Sequence, residues 1–365
     1  MFVSICTCSL TTYQGFIVVI EAIIYITRDF TPGYFTGIVI KKQRGSPVKA
    51  YKPSNPFQCI MAMMLSIYCA SIGQSVLAQD DNSMRPDNPG TGDFPAIKEE
   101  VASLADHVVY RPRDLDAMGS MKLGIVAWGN GGCSFDGASS RFHLLELASH
   151  GYLVIAGGKI LSGPGAPTPE PGDAPRRRTT ADSLTSAIDW AIAQNADAAS
   201  PFYQRIDPDQ IALSGFSCGG VQVNHKAADP RVKTLVMHNT GILNEPMPAD
   251  IDIGEMQLGK EALADIHTPL IYILGGETDI AYENGMDDYR RLTHVPVAVA
   301  NIDRGHGGTF AEENGGSAAQ VAVNWLDWQL RGDRNAALYF IGEECGMCRN
   351  PEWTLERKFI GVVAP

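Results

Sequence analysis

Positive charge is scarce in this sequence. Lysine and arginine number 29 in 365 residues against 41 Asp and Glu, for a formal net charge of −12. Phosphate recognition needs clustered bases, so the deficit argues against a nucleic-acid binder. The chain also lacks internal repeats and low-complexity tracts, and with them the repeat architectures. What it has is apolar material: 45% of residues are hydrophobic, with 37 Gly and 22 Pro. That buries a sizeable core and excludes a disordered or collagen-like chain. The length suits one large domain, or two at most.

The charge is uneven. Residues 1–78 hold six bases and two acids, which leaves 23 bases against 39 acids in the rest. A basic, apolar leader before an acidic body is the pattern of an exported protein. Residues 59–78 form an uncharged apolar run ending in Val76-Leu77-Ala78, a small-residue cleavage signal, with Lys49 and Lys52 upstream. Its strongly apolar part is well short of the ~20 residues of a membrane span. We therefore expect a signal peptide over 61–78, cleaved before Gln79, and no stable membrane anchor afterwards. Residues 1–60 exceed what a signal peptide needs ahead of it. They read as an over-extended start, with the working methionine at 61, 63 or 64. The expected location is secreted or periplasmic.

Four of the eight cysteines precede residue 79, leaving Cys133, Cys218, Cys345 and Cys348. In an exported protein four cysteines suggest disulfides, with three possible connectivities. Cys345-Gly346-Met347-Cys348 lacks the neighbours of a zinc site and the strand-to-helix setting of a redox motif. A local disulfide is the plain reading, and no metal site is expected.

Residues 79–95 are polar and rich in Pro and Gly, as in a linker. Short apolar runs then alternate with helical patterns. The runs are 107–110, 123–128, 152–156, 211–213, 232–237, 270–274 and 295–302. Helices are expected over 141–149, 182–196, 219–228, 256–265 and 318–330. The alternation predicts an α/β fold over 96–340, with a mostly parallel central sheet and helices on both faces. Residues 341–365 form a C-terminal extension. Val321, Trp325 and Trp328 share one helical face and read as core packing. The Pro- and Gly-rich stretch 162–178 reads as a loop over the strand ends, either shaping a cleft or simply solvated.

The sharpest motif is Gly215-Phe216-Ser217-Cys218-Gly219, a G-x-S-x-G. The pattern alone is weak, and an ordinary Gly-rich loop with a capping serine competes with it. Its setting is more specific. A short strand precedes it and a small-residue helix start follows, so the glycines permit a tight turn that exposes Ser217 at its tip. A serine nucleophile needs a base, and the base needs an orienting acid. His306 follows the last apolar strand and precedes the final helix. His225 and His238 read better as packed or surface histidines. Asp279 follows strand 270–274, where α/β active sites gather. Glu277 and Asp303 are rival acids. Ser217, Asp279 and His306 stand in the nucleophile–acid–base order of the α/β-hydrolases.

An oxyanion needs two amide donors. One is expected from Cys218, the residue after the nucleophile. The other is expected from Asn130 or Gly131, in the Gly-rich loop after strand 123–128. A nucleotide-binding loop is the competing reading. Ser134 breaks its G-x-G-x-x-G pattern, and no acid ends the next strand.

Together these four elements resemble the α/β-hydrolase superfamily over residues 100–335. The approach to the nucleophile, 186–190 and 200–215, is similar to that of secreted bacterial esterases in the dienelactone hydrolase and polyester hydrolase branch. The resemblance implies a Ser217–His306–Asp279 triad that cleaves carboxylic esters through an acyl-enzyme, without metal or organic cofactor. The implied substrate is a small-molecule or polymeric ester. Trp128, Phe216 and Tyr282 are expected at the substrate cleft. The resemblance brings the two oxyanion loops together, so it also implies a Cys133–Cys218 disulfide, leaving Cys345 and Cys348 to pair locally. This chain departs from the branch at Trp128, where His-Gly often precedes the oxyanion loop, and at Phe216 and Cys218 beside the serine. Amide or peptide hydrolysis by the same triad and a non-catalytic binding protein on this fold are the alternatives.

Overall fold

The computed structural model describes residues 85–167, 177–245 and 254–361 in full. By contacts the chain divides into two units, Met1–Asp81 and Asn82–Pro365. In the first, strands Val3–Thr12 and Phe16–Tyr25 pair antiparallel, and Val39–Ile40 pairs with the second of them. The expected signal peptide, 61–78, lies outside the described residues, as does most of the Pro-rich stretch after residue 167.

The second unit is built on nine strands. They are β1 (Ala96–Glu99), β2 (His107–Pro112), β3 (Leu123–Gly129), β4 (Tyr152–Gly157), β5 (Ile206–Phe216), β6 (Thr234–His238), β7 (Leu270–Leu274), β8 (Val297–Ile302) and β9 (Trp353–Lys358). The principal helices are α1 (Arg141–Ser149), α2 (Asp182–Ala196), α3 (Cys218–Lys226), α4 (Tyr282–Arg291), α5 (Gly316–Arg331) and the single-turn α6 (Arg334–Ala337). The sheet order is β9-β8-β7-β6-β5-β3-β4-β2-β1. The six strands from β8 to β4 are mutually parallel, while β2 and β9 run against their neighbours. This is a mostly parallel mixed sheet in an α/β fold.

The central strands are near-continuous apolar runs because both faces are covered. Every residue of β3, β4 and β7 is buried. Alternation along each strand splits the core in two. Leu123, Ile125 and Ala127 of β3 face Leu184, Ile188 and Trp190 of α2, Val223 of α3, and Met286 of α4. Val126 and Trp128 face Leu144 and Leu147 of α1 and Val321 and Trp325 of α5. Each fully buried aliphatic side chain contributes roughly 1.5–3 kcal/mol. Trp325, expected in the core, is fully buried, and its Nε1 donates to Thr234 Oγ1 at 2.7 Å.

Several elements differ from the expectation. α4 gave no helical signal, because Met286 and Tyr289 are its only buried apolar residues and Gly285 lies in its first turns. The expected helix 256–265 is instead two 3-10 turns, Gly254–Met256 and Lys260–Asp265, separated by extended Gly259. The C-terminal stretch supplies β9, which completes the sheet edge antiparallel to β8. From Arg85 on, the expected linker lies against α1: Thr91 N donates to Glu146 Oε2 at 2.8 Å, and Phe94 N to Ser149 O at 3.0 Å. Among the described residues no helix is long and apolar enough to cross a membrane.

Strand register sets the position of everything that follows. Gly129 pairs with Gly215, Phe216 with His238, His238 with Ile273, and Leu274 with Asn301. The carboxyl ends of β3, β5, β6, β7 and β8 therefore lie along one edge, where loops from parallel strands converge.

Candidate active site

β5 runs into α3 through Ser217, whose φ of 53° and ψ of −120° are unusual for a residue other than glycine. Such a conformation persists only where its surroundings hold it. Ser217 N donates to His238 O at 3.0 Å, and Thr240 Oγ1 donates to Ser217 O at 2.7 Å. Both bonds tie the turn to the end of β6. Gly219 permits close approach to the β3 loop, since a methyl group there would run into the Gly129 carbonyl.

His306 comes from the loop after β8. Its Nε2 is 2.9 Å from Ser217 Oγ, and its Nδ1 is 2.6 Å from Asp279 Oδ1. An ionised carboxylate only accepts, so Nδ1 carries the proton and Nε2 is free to accept the serine O–H. The β8 loop is bound to the β7 loop: Arg304 N and Gly305 N both donate to Gly275 O, at 3.1 and 2.7 Å.

Asp279 is buried and fully bonded. Oδ1 also accepts from Ala281 N at 2.9 Å, while Oδ2 accepts from Asn239 Nδ2 at 2.9 Å and Gly275 N at 3.1 Å. Burial pushes its carboxyl up, but hydrogen bonds from His306, Ala281 and Asn239 outweigh this and hold it below the usual range. The rival acids Glu277 and Asp303 are exposed, and neither bonds His306. His225 is exposed and bonds Glu255 O. His238 is buried behind the turn.

Cys133 and Cys218 are paired, with Cα atoms 5.2 Å apart, as are Cys345 and Cys348 at 4.9 Å. The first pair joins the 3-10 turn Gly131–Cys133 to the start of α3. Cys218 and Gly131 each open a helical turn, so neither amide has a partner within its own turn. Asn130 is buried, and its Nδ2 donates to Ser134 O at 2.9 Å and Gly157 O at 2.7 Å, fixing the loop's path. Gly131 packs on the Phe216 ring, where a side chain would clash.

A small cleft opens beside Ser217 and His306. Among its lining residues are Asn239, Thr240, Leu243, Met256 and Ile280. This corrects two of the three expected cleft residues, Trp128 and Tyr282. Trp128 is fully buried, because the pleat of β3 turns it toward α1 and α5. Tyr282 packs on the opposite core, against the α2 to α4 face. Phe216 is half-buried, with its ring 5.3 Å from that of His306 and against Gly131. Asn239, Thr240, Leu243 and Ile280 drew no notice in the sequence; their one signal is position, just past the ends of β6 and β7, while Met256 comes from the 3-10 turn Gly254–Met256. A larger depression of about 480 Å³ lies between Arg111, Arg113, Asp116 and Arg205. Its lining has no serine, cysteine or histidine, and Arg111 and Arg205 are paired with Glu99 and Asp116.

Behind Ser217 the buried Trp128, His143 and His238 cluster with half-buried Phe310. The two imidazoles are 4.7 Å apart, centre to centre, and fully buried. Their ring nitrogens have no hydrogen-bond partner among the described residues. Burial pushes His143 down to about 3, against the opposing pull of Glu146, and burial with His143 alongside pushes His238 well below its ordinary value.

Neither protein-family models nor curated protein sequences match this chain.

Proposed function

We propose that this protein is a serine hydrolase that cleaves carboxylic esters through an acyl-enzyme. Ser217 Oγ attacks the ester carbonyl as its proton passes to His306 Nε2. Asp279 holds the imidazole tautomer and stabilises the imidazolium. The amides of Cys218 and of Asn130 or Gly131 receive the oxyanion, aided by the positive end of the α3 dipole. Collapse expels the alcohol, which takes the proton from His306. Water then attacks the acyl-enzyme, with His306 again as base, releasing the acid and restoring Ser217.

One observation carries this reading: Ser217 Oγ, His306 and Asp279 form a continuous hydrogen-bonded chain at 2.9 and 2.6 Å, on a strained strand-to-helix turn. The likeness of the motif order to the α/β-hydrolases supports it. Export to an oxidising compartment is part of the same proposal, supported by the paired cysteines.

A fluorophosphonate probe should label Ser217, and labelling should vanish in Ser217→Ala. That variant should lose at least ~10⁴-fold in turnover of p-nitrophenyl esters while melting normally. Near-normal turnover in purified Ser217→Ala would sink the assignment. Faster cleavage of matched anilides than of esters would instead make the protein an amidase.

A further inference from the structure

Asn239 stands at the carboxyl end of β6, one residue past His238. Its φ is 43°, a left-handed conformation that asparagine tolerates better than most residues. Its N–H donates to Ile273 O at 2.8 Å, which ties this turn to β7. The side chain belongs to a residue only 3% exposed. Its Nδ2 uses both donors, one to Asp279 Oδ2 at 2.9 Å and one to Gly305 O at 3.1 Å. A carboxylate and a carbonyl are acceptors only, so chemistry sets which way the amide faces.

These two contacts fall on loops from two different strands. Asp279 follows β7, and Gly305 follows β8 immediately before His306. One amide group therefore spans the hydrogen bond between His306 and Asp279 from behind. The carboxylate has a rotatable bond, and Oδ1 must face His306 Nδ1 for the imidazole to point Nε2 at Ser217. Oδ2 is held by two donors, Asn239 Nδ2 and Gly275 N. Without Asn239, one remains.

We propose that Asn239 is a positioning residue for proton transfer: it clamps the Asp279 carboxylate and the His306 loop to the end of β6, holding the imidazole in line with Ser217. The inference rests on the hydrolase reading of Ser217. It has two separable consequences. Loss of the clamp lowers the fraction of enzyme with Nε2 aligned on Oγ, so kcat falls. Loss of a donor also leaves more negative charge on the Asp279 carboxylate, which favours the imidazolium, so the acid limb of the pH–rate profile moves up.

Asn239→Gly removes the side chain and keeps the left-handed backbone; Asn239→Asp keeps the shape and replaces the donor with an acceptor. In each, kcat for p-nitrophenyl acetate should fall by at least ~10-fold, and the acid limb should rise by about half a pH unit or more. Melting curves establish that each variant is folded. A folded variant with unchanged kcat and acid limb overturns the proposal. So does a loss of kcat without any movement of the limb, which would mark a merely structural role. If Asn239→Gly does not fold, Asn239→Asp decides alone; failure of both to fold assigns Asn239 to stability and also overturns it. A wild-type protein that is neither labelled at Ser217 nor active overturns the hydrolase reading itself, whereas an active wild type with indifferent variants overturns only the role of Asn239.

Discussion

Replacing Cys133 and Cys218 together by alanine removes a cross-link between residues 85 apart in sequence. In the chain-entropy account, the bond stabilises by restricting the unfolded chain, and a loop of this size gives about 4.5 kcal/mol at 25 °C. Both residues are buried, at 3% and 7% exposure, so the small void left by the two sulfur atoms adds to this loss rather than offsetting it. The folded unit has about 280 residues, for which the melting entropy is roughly 0.6 kcal/mol per kelvin. The melting temperature should therefore drop by about 8 °C. The Cys345–Cys348 link closes only three residues and restrains little. Dithiothreitol should thus lower the wild-type melting temperature by a similar amount and leave the double variant nearly unmoved. Turnover should fall as well, because the bond fixes the Gly131 loop against the α3 terminus, and the two amide donors lose their common geometry. Scanning calorimetry with and without reductant, and kcat below the transition, measure both effects. A drop under about 2 °C in the double variant, with unchanged kcat, would refute the reasoning.

Asp279→Asn should cut turnover by about 10⁴-fold with little change in fold, since an amide that donates toward Nδ1 favours the wrong imidazole tautomer; steady-state kinetics at neutral pH measure it, and a loss below tenfold would deny Asp279 its role. The buried pair His143 and His238 should make the protein acid-sensitive. Their folded values are depressed, so below about pH 6.5 the unfolded chain binds protons that the folded chain does not, and stability falls with pH. Each histidine contributes a slope of up to about 1.4 kcal/mol per pH unit, and for His143 this continues toward about pH 3. His143→Leu should make the fall between pH 6.5 and 4.5 about one such slope shallower than in wild type, by urea denaturation; identical slopes would show that His143 does not titrate this way.

Much of this architecture is local in origin, and so it was legible along the chain. Continuous apolar runs such as 123–128 and 270–274 mark strands buried on both faces, and the helices between them make the parallel sheet almost obligatory. The turn at Ser217 is written in its neighbouring glycines, whereas the approach of Cys133 to Cys218, 85 residues apart, was expected only through the resemblance to the α/β-hydrolases. Elements held by tertiary contacts gave little signal. α4 has two buried apolar residues, and β9 alternates with charge because it lies at an edge. The choice among Glu277, Asp279 and Asp303 rests on which carboxylate the register of β7 and β8 turns inward. Trp128 adjoins the Gly-rich loop in sequence but belongs to the α1 and α5 face, because pleating alternates side chains whatever the next loop does. Asn239 stayed silent for the same reason. Its partners lie 40 and 66 residues away, and only the alignment of three strand ends brings them within reach of one amide. Periodicity and turn chemistry act over a few residues, so sequence alone marked the central strands, most of the helices that cover them and the tight turn at Ser217. Which side chains meet across the strand ends is a matter of register and pleat, and only the tertiary structure decided it.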